Sequence, residues 1–236
     1  MPRFYRSRHG LLSEFDSLDI ELDDEMWFSV TPEGVATQHA KSLSDALKTS
    51  IVLDLFCGIG GDIIKFPKSL FAIGCDILES RLGVAKKMHA RLGKCPVDFV
   101  LSDSMSTKSC FRKRTFDAVY LSPPWGHEGI RNRKIAPVFG RRKLASLDVD
   151  GFKVFLKAIY LAKNDNIAFF LPRGMDINDL HRLARMTSDS TKAFIEIHES
   201  FDPDDETNDD EEYRFRVRAI TVYFGSQLAA NKILNL

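Results

Sequence analysis

The sequence of 236 residues lacks the patterns typical of membrane-spanning, metal-binding and secreted proteins. No apolar run approaches the length needed to cross a bilayer, and the basic amino-terminal stretch MPRFYRSRHGLL has no long apolar segment of the secretory kind. The four cysteines lie far apart, without a CxxC pair, which argues for reduced thiols and against structural zinc. We therefore expect an intracellular protein, nuclear or cytoplasmic, that binds neither a membrane nor a metal.

Neither sign of charge is in excess, since 33 basic residues balance 33 acidic ones, but the charges are clustered. Between Gly129 and Leu147 there are six basic residues and no acid, whereas residues 202–212 (DPDDETNDDEE) carry eight acids and no base. We expect the acidic run to be a solvated loop. The basic run directly follows the turn LSPPWG, so it is either a solvated loop or a surface that meets an anionic ligand.

Short apolar runs alternate with amphipathic segments along most of the chain. Such runs are typical of strands buried on both faces of a parallel sheet, joined by right-handed helical crossovers. The predicted strands are IVLDLF (51–56), LFAIGCDI (70–77), VDFVLSD (97–103), FDAVYLS (116–122) and NIAFFLP (166–172), with helices at 79–92 and 151–163. Two β-rich runs, AFIEIHES and FRVRAITVYFG, flank the acidic segment and predict an antiparallel pair at the sheet edge.

The length and this pattern predict one α/β domain with extensions at both ends. Residues 1–45 are expected to form a small helical extension, residues 46–226 the mostly parallel, doubly wound sheet, and residues 227–236 a tail with a short helix. No internal repeat stands out.

A glycine-rich turn, DLFCGIGG (54–61), ends the first predicted strand. Glycines let a loop pass close to a ligand and turn tightly into a following helix, and open α/β sheets bind ligands at the carboxyl ends of their strands. Asp76 ends the next strand, where a carboxylate binds ribose hydroxyls, and Asp103 ends the third, within reach of an adenine amino group. There is no GxxxxGKS or GxxxxGKT, and Asp54 suits an ammonium better than a pyrophosphate. These features indicate S-adenosylmethionine rather than NAD or ATP.

The turn LSPPWG (121–126) ends the fourth predicted strand. Its two prolines fix the backbone and remove two amide donors, which leaves rigid carbonyl acceptors around Ser122 and Pro123. Beside a methyl donor, such acceptors hold an exocyclic amino group and direct its lone pair at the methyl carbon. Trp125 offers a face on which a base stacks, and a cationic ring is favoured further. The turn predicts an amino-group methyltransferase that works by positioning, with no general base assigned.

Together these motifs resemble the catalytic domain of the trimethylguanosine synthase family. The resemblance rests on WFSVTPEGVA (27–36), DLFCGIGGD, CDI and LSPPWG, includes LPRGMDI (171–177) and ITVYFG (220–225), and runs from about Tyr5 to Gly225. It implies a class I, Rossmann-like fold and methyl transfer from S-adenosylmethionine to the exocyclic N2 of a 7-methylguanosine cap. The products would be S-adenosylhomocysteine and 2,7-dimethyl- or 2,2,7-trimethylguanosine, on small nuclear or nucleolar RNA.

The resemblance also implies roles for individual residues. Trp125 would stack on the 7-methylguanine with Pro124 beside it, while Ser122 and Pro123 would flank the N2 amine. Arg173 would meet cap phosphates, and the basic run that begins at Arg131 would reach further along the RNA. The residues that would hold the methyl donor are Asp54, Cys57, Gly58, Gly60, Asp76 and Asp103, with Phe28 and Thr31 closing over donor and substrate from the amino-terminal extension. The partner would be capped RNA and not DNA, bound by a monomer.

Two departures from the family pattern affect these expectations. His127 stands where the family has the second glycine of SPPWGG, so its side chain either narrows the mouth of the site or points to solvent. PRGMD replaces PRNAD at Arg173.

Two alternatives to the cap-methylating enzyme stay open. A DNA adenine-N6 or ribosomal guanine-N2 methyltransferase shares the glycine turn and the proline-rich motif, but does not predict the WFSVTPE segment. A non-catalytic cap-binding module has no use for an intact donor site.

Overall fold

The computed structural model describes residue 5 and residues 8–106, 110–124, 150–188, 193–201 and 215–234. Within these ranges the strands are β1 Ser50–Asp54, β2 Leu70–Asp76, β3 Val97–Leu101, β4 Ala118–Leu121, β5 Ile167–Pro172, β6 Ala193–Phe201 and β7 Phe215–Phe224. The helices are α1 Arg8–Leu11, α2 Asp24–Ser29, α3 Glu33–Ala46, α4 Glu79–Leu92, α5 Gly151–Leu161, α6 Ile177–Met186 and α7 Leu228–Leu234. Short 3₁₀ helices cover Phe15–Ser17, Ile63–Lys65 and Lys163–Asp165.

The strands form a seven-stranded sheet in the order β3-β2-β1-β4-β5-β7-β6. Strands β1 to β5 are parallel, whereas β7 runs antiparallel between β5 and β6. The chain moves outward from β1 through β2 to β3 and then returns to β4 on the other side of β1. This reversal creates the crevice at which open α/β sheets bind ligands. The parallel sheet and its antiparallel edge pair confirm the predicted fold class.

Each face of the sheet carries an apolar core. On one face, α5 and α6 pack through residues such as Phe155 and Leu183. On the other, Leu43 of α3 and Leu228 of α7 pack against the sheet. Full burial of a side chain of this size contributes about 1.5–3 kcal/mol. Although α3 begins within the predicted extension, it is therefore part of the domain core.

The segment before α3, residues 8–32, is called the arm below. It docks on the domain through a third apolar cluster, in which Met26 and Val30 pack with Ile64 and Met88. Trp27 is 2% exposed and meets Phe15 edge-on, with 4.7 Å between the ring centroids. Trp27 is therefore a packing residue that anchors the arm beside the glycine loop.

The glycine loop does not turn into an α-helix, contrary to expectation. Only the 3₁₀ helix Ile63–Lys65 follows it. The loop glycines end one residue before this segment, and Pro67 lies two residues after it. The residue that precedes a proline is driven out of the helical region. Phe66 is accordingly extended, with φ −62° and ψ 134°.

Helix α6 is an element that the sequence analysis did not predict. Asp176 caps its start by accepting a hydrogen bond from the Asn178 amide at 2.8 Å. Leu180, Leu183 and Ala184 then bury one face at helical spacing. The sequence does contain a signal for this helix, because a capping residue is followed by ten residues with an amphipathic pattern.

None of the described helices is long and apolar enough to cross a membrane. The predicted helix at 79–92 is confirmed, and the short terminal helix is found as α7. The basic run at 131–143 and the acidic run at 202–212 lie outside the described residues.

Candidate active site

A cavity of about 370 Å³ opens at the carboxyl ends of β1 to β4, a size suited to a small-molecule ligand. Two parts of the chain line it. The sheet wall comprises the residues after the strands and at the start of α4, namely Leu55–Ile59, Gly61, Asp62, Asp76–Leu78, Arg81, Asp103–Met105, Ser122 and Pro124. The arm wall comprises Glu25, Ser29, Val30 and Thr31. Among the described residues, the lining includes four carboxylic acids and one basic residue, Arg81.

Asp76 is the most firmly held carboxylate of the sheet wall. Its Oδ2 accepts a hydrogen bond from the Gly58 amide at 3.0 Å, and its Oδ1 accepts one from the Leu78 amide at 2.9 Å. Gly58 has φ +52°, a conformation that favours glycine and aims its amide at Asp76. A carboxylate offers about four acceptor positions, so two remain for hydroxyl groups of a ligand.

Backbone hydrogen bonds continue beyond the strands and make the sheet wall rigid. The Leu55 amide donates to the Tyr120 carbonyl at 3.1 Å, and the Cys57 amide donates to the Cys75 carbonyl at 2.9 Å. The glycine loop is thus tied to both neighbouring strands. Gly60, with φ +80°, shapes the loop but does not itself line the cavity.

Cys57 lies in the sheet wall as a protonated thiol. Burial, followed by the nearby charges of Asp54 and Asp76, raises its pKa well above the ordinary value. The thiolate is the nucleophilic form of cysteine, so Cys57 is a packing and contact residue rather than a reactive one.

Two apolar side chains project beside Asp76. Ile77 is 62% exposed and Leu78 is 42% exposed, and both line the cavity. Across from them Asp103 is held by a hydrogen bond from the Met105 amide to its Oδ1 at 2.8 Å. Exposed apolar surface next to a fixed carboxylate suits a flat heterocycle with an amino substituent.

Asp54 differs from Asp62, the other acid of the glycine loop, because it does not line the cavity. Asp54 is 2% exposed and accepts a hydrogen bond from the Phe56 amide at 3.2 Å. Burial, followed by the charge of Asp62, raises the pKa of Asp54 well above its usual range.

The arm wall reaches the glycine loop at Thr31, which is buried and lines the cavity. A Cβ atom on Gly61 would lie 3.0 Å from a Val30 methyl carbon, so glycine at this position permits the close approach. At the mouth of the cavity, Glu25 of α2 forms an ion pair with Arg81 of α4. Phe28, predicted to close over the donor, is half-buried and does not line the cavity.

The proline-rich turn brings the acceptor motif to the same cavity. Ser122 and Pro124 line it, whereas Pro123 is buried behind them. Trp125, His127 and Arg131 lie outside the described residues. Arg173 is exposed just beyond β5, does not line the cavity, and donates to the Val217 carbonyl at 3.2 Å.

The lining also includes Asp62, Glu25 and Arg81, which were not predicted from the sequence. The signal for Asp62 was its place directly after GIGG, a position that the glycine loop brings to the ligand. Glu25 and Arg81 belong to different helices, and no local pattern links them. Among the described residues, no group of three or more His, Cys, Asp or Glu side chains could hold a metal ion.

The family model for RNA cap guanine-N2 methyltransferases matches residues 49–202, well over half of the chain. The chain belongs to this family. It is 32% identical to the trimethylguanosine synthase of Schizosaccharomyces pombe over 184 residues, which cover 76% of this chain and 74% of the relative. It is 30% identical to the trimethylguanosine synthase of Saccharomyces cerevisiae over 192 residues, which cover 78% of this chain and 58% of the relative.

A solved structure supports the fold independently. The S-adenosylmethionine-dependent methyltransferase of Agrobacterium tumefaciens aligns with a TM-score of 0.57, over 84% of this chain and 63% of that chain, at 15% identity. This confirms the predicted class I methyltransferase fold. With the family established, the protein is an S-adenosylmethionine-dependent RNA cap guanine-N2 methyltransferase, and its substrate class is capped RNA.

The cavity residues fit this methyl donor. The Asp76 carboxylate is fixed by two amides and keeps acceptor positions that suit vicinal hydroxyls, and the exposed Ile77 side chain is an apolar surface that suits an adenine. The donor carries a sulfonium and an ammonium, and a lining with four acids and one base favours such positive charge.

Proposed function

We propose that the enzyme acts on a 7-methylguanosine cap and places one or two methyl groups on its N2. The observation that carries the proposal is that Ser122 and Pro124, from the turn after β4, line the same cavity as Asp76 and the glycine loop. An acceptor amine held by this turn shares one enclosed space with the methyl donor. Holding two reactants in line supplies most of the rate in such a displacement.

The sheet wall is assigned to the donor. Asp76 binds the ribose hydroxyls, Asp103 meets the adenine amino group, and Cys57 and Gly58 approach the donor along the glycine loop, whose turn Gly60 shapes. Thr31 and Phe28 are assigned to the arm side of the site. When bound, the donor supplies a methyl group on an activated sulfonium.

The turn after β4 is assigned to the acceptor. The carbonyls around Ser122 and Pro123 accept hydrogen bonds from the N2 amine and orient it, since proline amides cannot compete as donors. Trp125 and Pro124 contact the base, and the positive charge of 7-methylguanine strengthens stacking on the indole. The nitrogen reacts without prior loss of a proton, so the assignment includes no general base.

Arg173, which does not line the cavity, is assigned to cap phosphates, and Arg131 of the basic run is assigned to the RNA beyond them. Both assignments rest on charge and on position after strands that end at the site. We further propose that the enzyme is a monomer in the nucleus or cytoplasm and acts on small nuclear or nucleolar RNA rather than on DNA.

The test of this function is product analysis by mass spectrometry. The protein is incubated with S-adenosylmethionine and either an unmethylated or a 7-methylated cap analogue. We expect mass increments of one or two methyl groups on the 7-methylated analogue only. Uncapped guanine-rich RNA and adenine-containing duplex DNA serve as controls. Methylation of either control, or equal activity on both cap analogues, contradicts the proposal.

Trp125 provides a second test of the acceptor assignment. Base stacking on an aromatic side chain contributes about 1–3 kcal/mol, and misplacement of the acceptor costs further rate. We expect Trp125→Ala to lower kcat/KM on the 7-methylated cap by about 100-fold or more, with the affinity for S-adenosylhomocysteine unchanged. Trp125→Phe should retain part of the activity. A Trp125→Ala variant with near-wild-type turnover rules out the stacking role.

A further inference from the structure

Asp62 lines the cavity, but no sequence motif gave it a role. It follows Gly61 directly and is 5% exposed. Thr31 Oγ1 donates to its Oδ2 at 2.6 Å, and His39 Nδ1 lies 2.8 Å from its Oδ1. Tyr120 of β4 also forms a hydrogen bond with Asp62, and its hydroxyl lies 3.0 Å from His39 Nδ1. Thr31 and His39 come from the segment before β1, so this segment and β4 together orient the Asp62 carboxylate.

A second set of hydrogen bonds holds His39 on the side away from Asp62. His39 is completely buried on α3, and its Nε2 lies 2.7 Å from Thr221 Oγ1, which also lies 2.7 Å from His198 Nε2. A threonine hydroxyl donates one hydrogen bond and accepts others. With both imidazoles neutral, His198 donates to Thr221, Thr221 donates to His39 Nε2, and His39 Nδ1–H donates to Asp62. In this arrangement Asp62 acts as the hydrogen-bond acceptor.

Asp62 and Asp54 are the two acids of the glycine loop that could meet a ligand's ammonium. Asp54, to which the ammonium was assigned from the sequence, is buried outside the cavity lining. Burial, followed by the charge of Asp62, raises its pKa and favours its neutral form. An ammonium that enters the cavity therefore meets Asp62 first.

We propose that Asp62 is the carboxylate that binds the α-ammonium of the methyl donor, and that Thr31 and His39 are its positioning residues. Thr31, His39 and Tyr120 use three of about four acceptor positions on this carboxylate, so one remains for the ligand. The proposal rests on the donor site and not on the identity of the acceptor.

Calorimetry with two ligands tests the proposal. One is S-adenosylhomocysteine and the other is its analogue in which hydrogen replaces the α-amino group. We expect the wild type to bind S-adenosylhomocysteine about 10–100-fold more tightly, as for a hydrogen-bonded charged group. In Asp62→Asn this preference should fall to less than about 3-fold because only the affinity for S-adenosylhomocysteine decreases. Asp98→Asn, at an exposed carboxylate of β3, is the matched control.

Thr31→Val gives a second variant of similar volume that leaves the carboxylate in place. It removes one of the three hydrogen bonds that orient Asp62, so we expect the preference to shrink by about 3–10-fold. A preference that persists in Asp62→Asn overturns the proposal, as does an equal loss of both ligands, which indicates a purely structural role. Neither ligand contains a cap, so this outcome is independent of the cap-methylation experiment.

Discussion

The sheet wall and the arm wall enclose the same cavity but are built by different means. The sheet wall is set by backbone hydrogen bonds between neighbouring strands, as where the Gly58 and Leu78 amides hold Asp76. The arm wall is set by side chains, through the Thr31–Asp62 hydrogen bond and the Glu25–Arg81 ion pair. Backbone contacts follow from the fold itself, whereas side-chain contacts depend on individual residues. The sheet wall should therefore carry most of the donor affinity, and the arm wall should adjust it.

The largest effect that tests this comparison is expected for Asp76→Ala. Hydrogen bonds to a charged group contribute about 1.5–3 kcal/mol each, so loss of two ribose contacts should weaken S-adenosylhomocysteine binding by about 100-fold or more. The measurement is calorimetry, with thermal unfolding to show that the variant is folded. Asp98→Ala is the control and should bind normally. If Asp76→Ala weakens binding less than the arm-wall variant Thr31→Val does, the sheet wall is not the dominant one.

The same contrast explains which parts of the site could be predicted from sequence. Asp76 could be predicted because a carboxylate at the end of the second strand, about twenty residues after a glycine turn, has a recurrent role. Its contact with Leu78 spans only two residues. The Thr31–Asp62 contact spans 31 residues and the His39–Thr221 contact spans 182. Such contacts depend on tertiary packing, which periodicity and motif spacing do not encode.

The fold shows a similar division. The apolar runs predicted the parallel strands and the antiparallel edge pair, since burial on both faces leaves a clear pattern. The runs extend past the strand ends, as at Leu55 and Phe56, because residues that line the cavity are also apolar. The glycine loop was expected to lead into an α-helix, but the glycines and Pro67 leave room for the 3₁₀ helix alone.

An effect of intermediate size is expected for Asp54, which is buried next to the sheet wall. It concerns the free energy of unfolding and depends on pH. The pKa of Asp54 is raised in the folded state, chiefly by burial and then by Asp62. The folded state therefore keeps this proton at pH values where the unfolded state has lost it. The contribution of Asp54 to stability is complete below about pH 4, its unfolded pKa, and is lost as pH rises through the folded pKa.

Asp54→Asn removes this pH-dependent loss, so the variant should gain stability relative to the wild type between pH 5 and pH 8. We expect a relative gain of the order of 1–3 kcal/mol, the cost of burying an uncompensated polar or charged group. Urea denaturation at several pH values measures it, with the exposed-site variant Asp98→Asn as the control. Parallel stability curves for Asp54→Asn and the wild type would show that Asp54 is not a buried, proton-binding acid.

The smallest effect is expected for Glu25→Gln, which breaks the contact between the arm and α4 at the cavity mouth. Glu25 is largely exposed, and exposed ion pairs contribute about 0–1 kcal/mol, so stability should hardly change. Because the pair spans the mouth, S-adenosylhomocysteine should dissociate about 2–5-fold faster at low salt, an acceleration within that same energy range. Stopped-flow displacement measures this rate, and the difference should vanish at high salt because screening weakens the wild-type pair.

Asp45→Asn is the control: it breaks the exposed Lys41–Asp45 pair on α3 with the same change in charge and should leave the dissociation rate unaltered. Equal acceleration in both variants would assign the effect to net charge rather than to the arm wall.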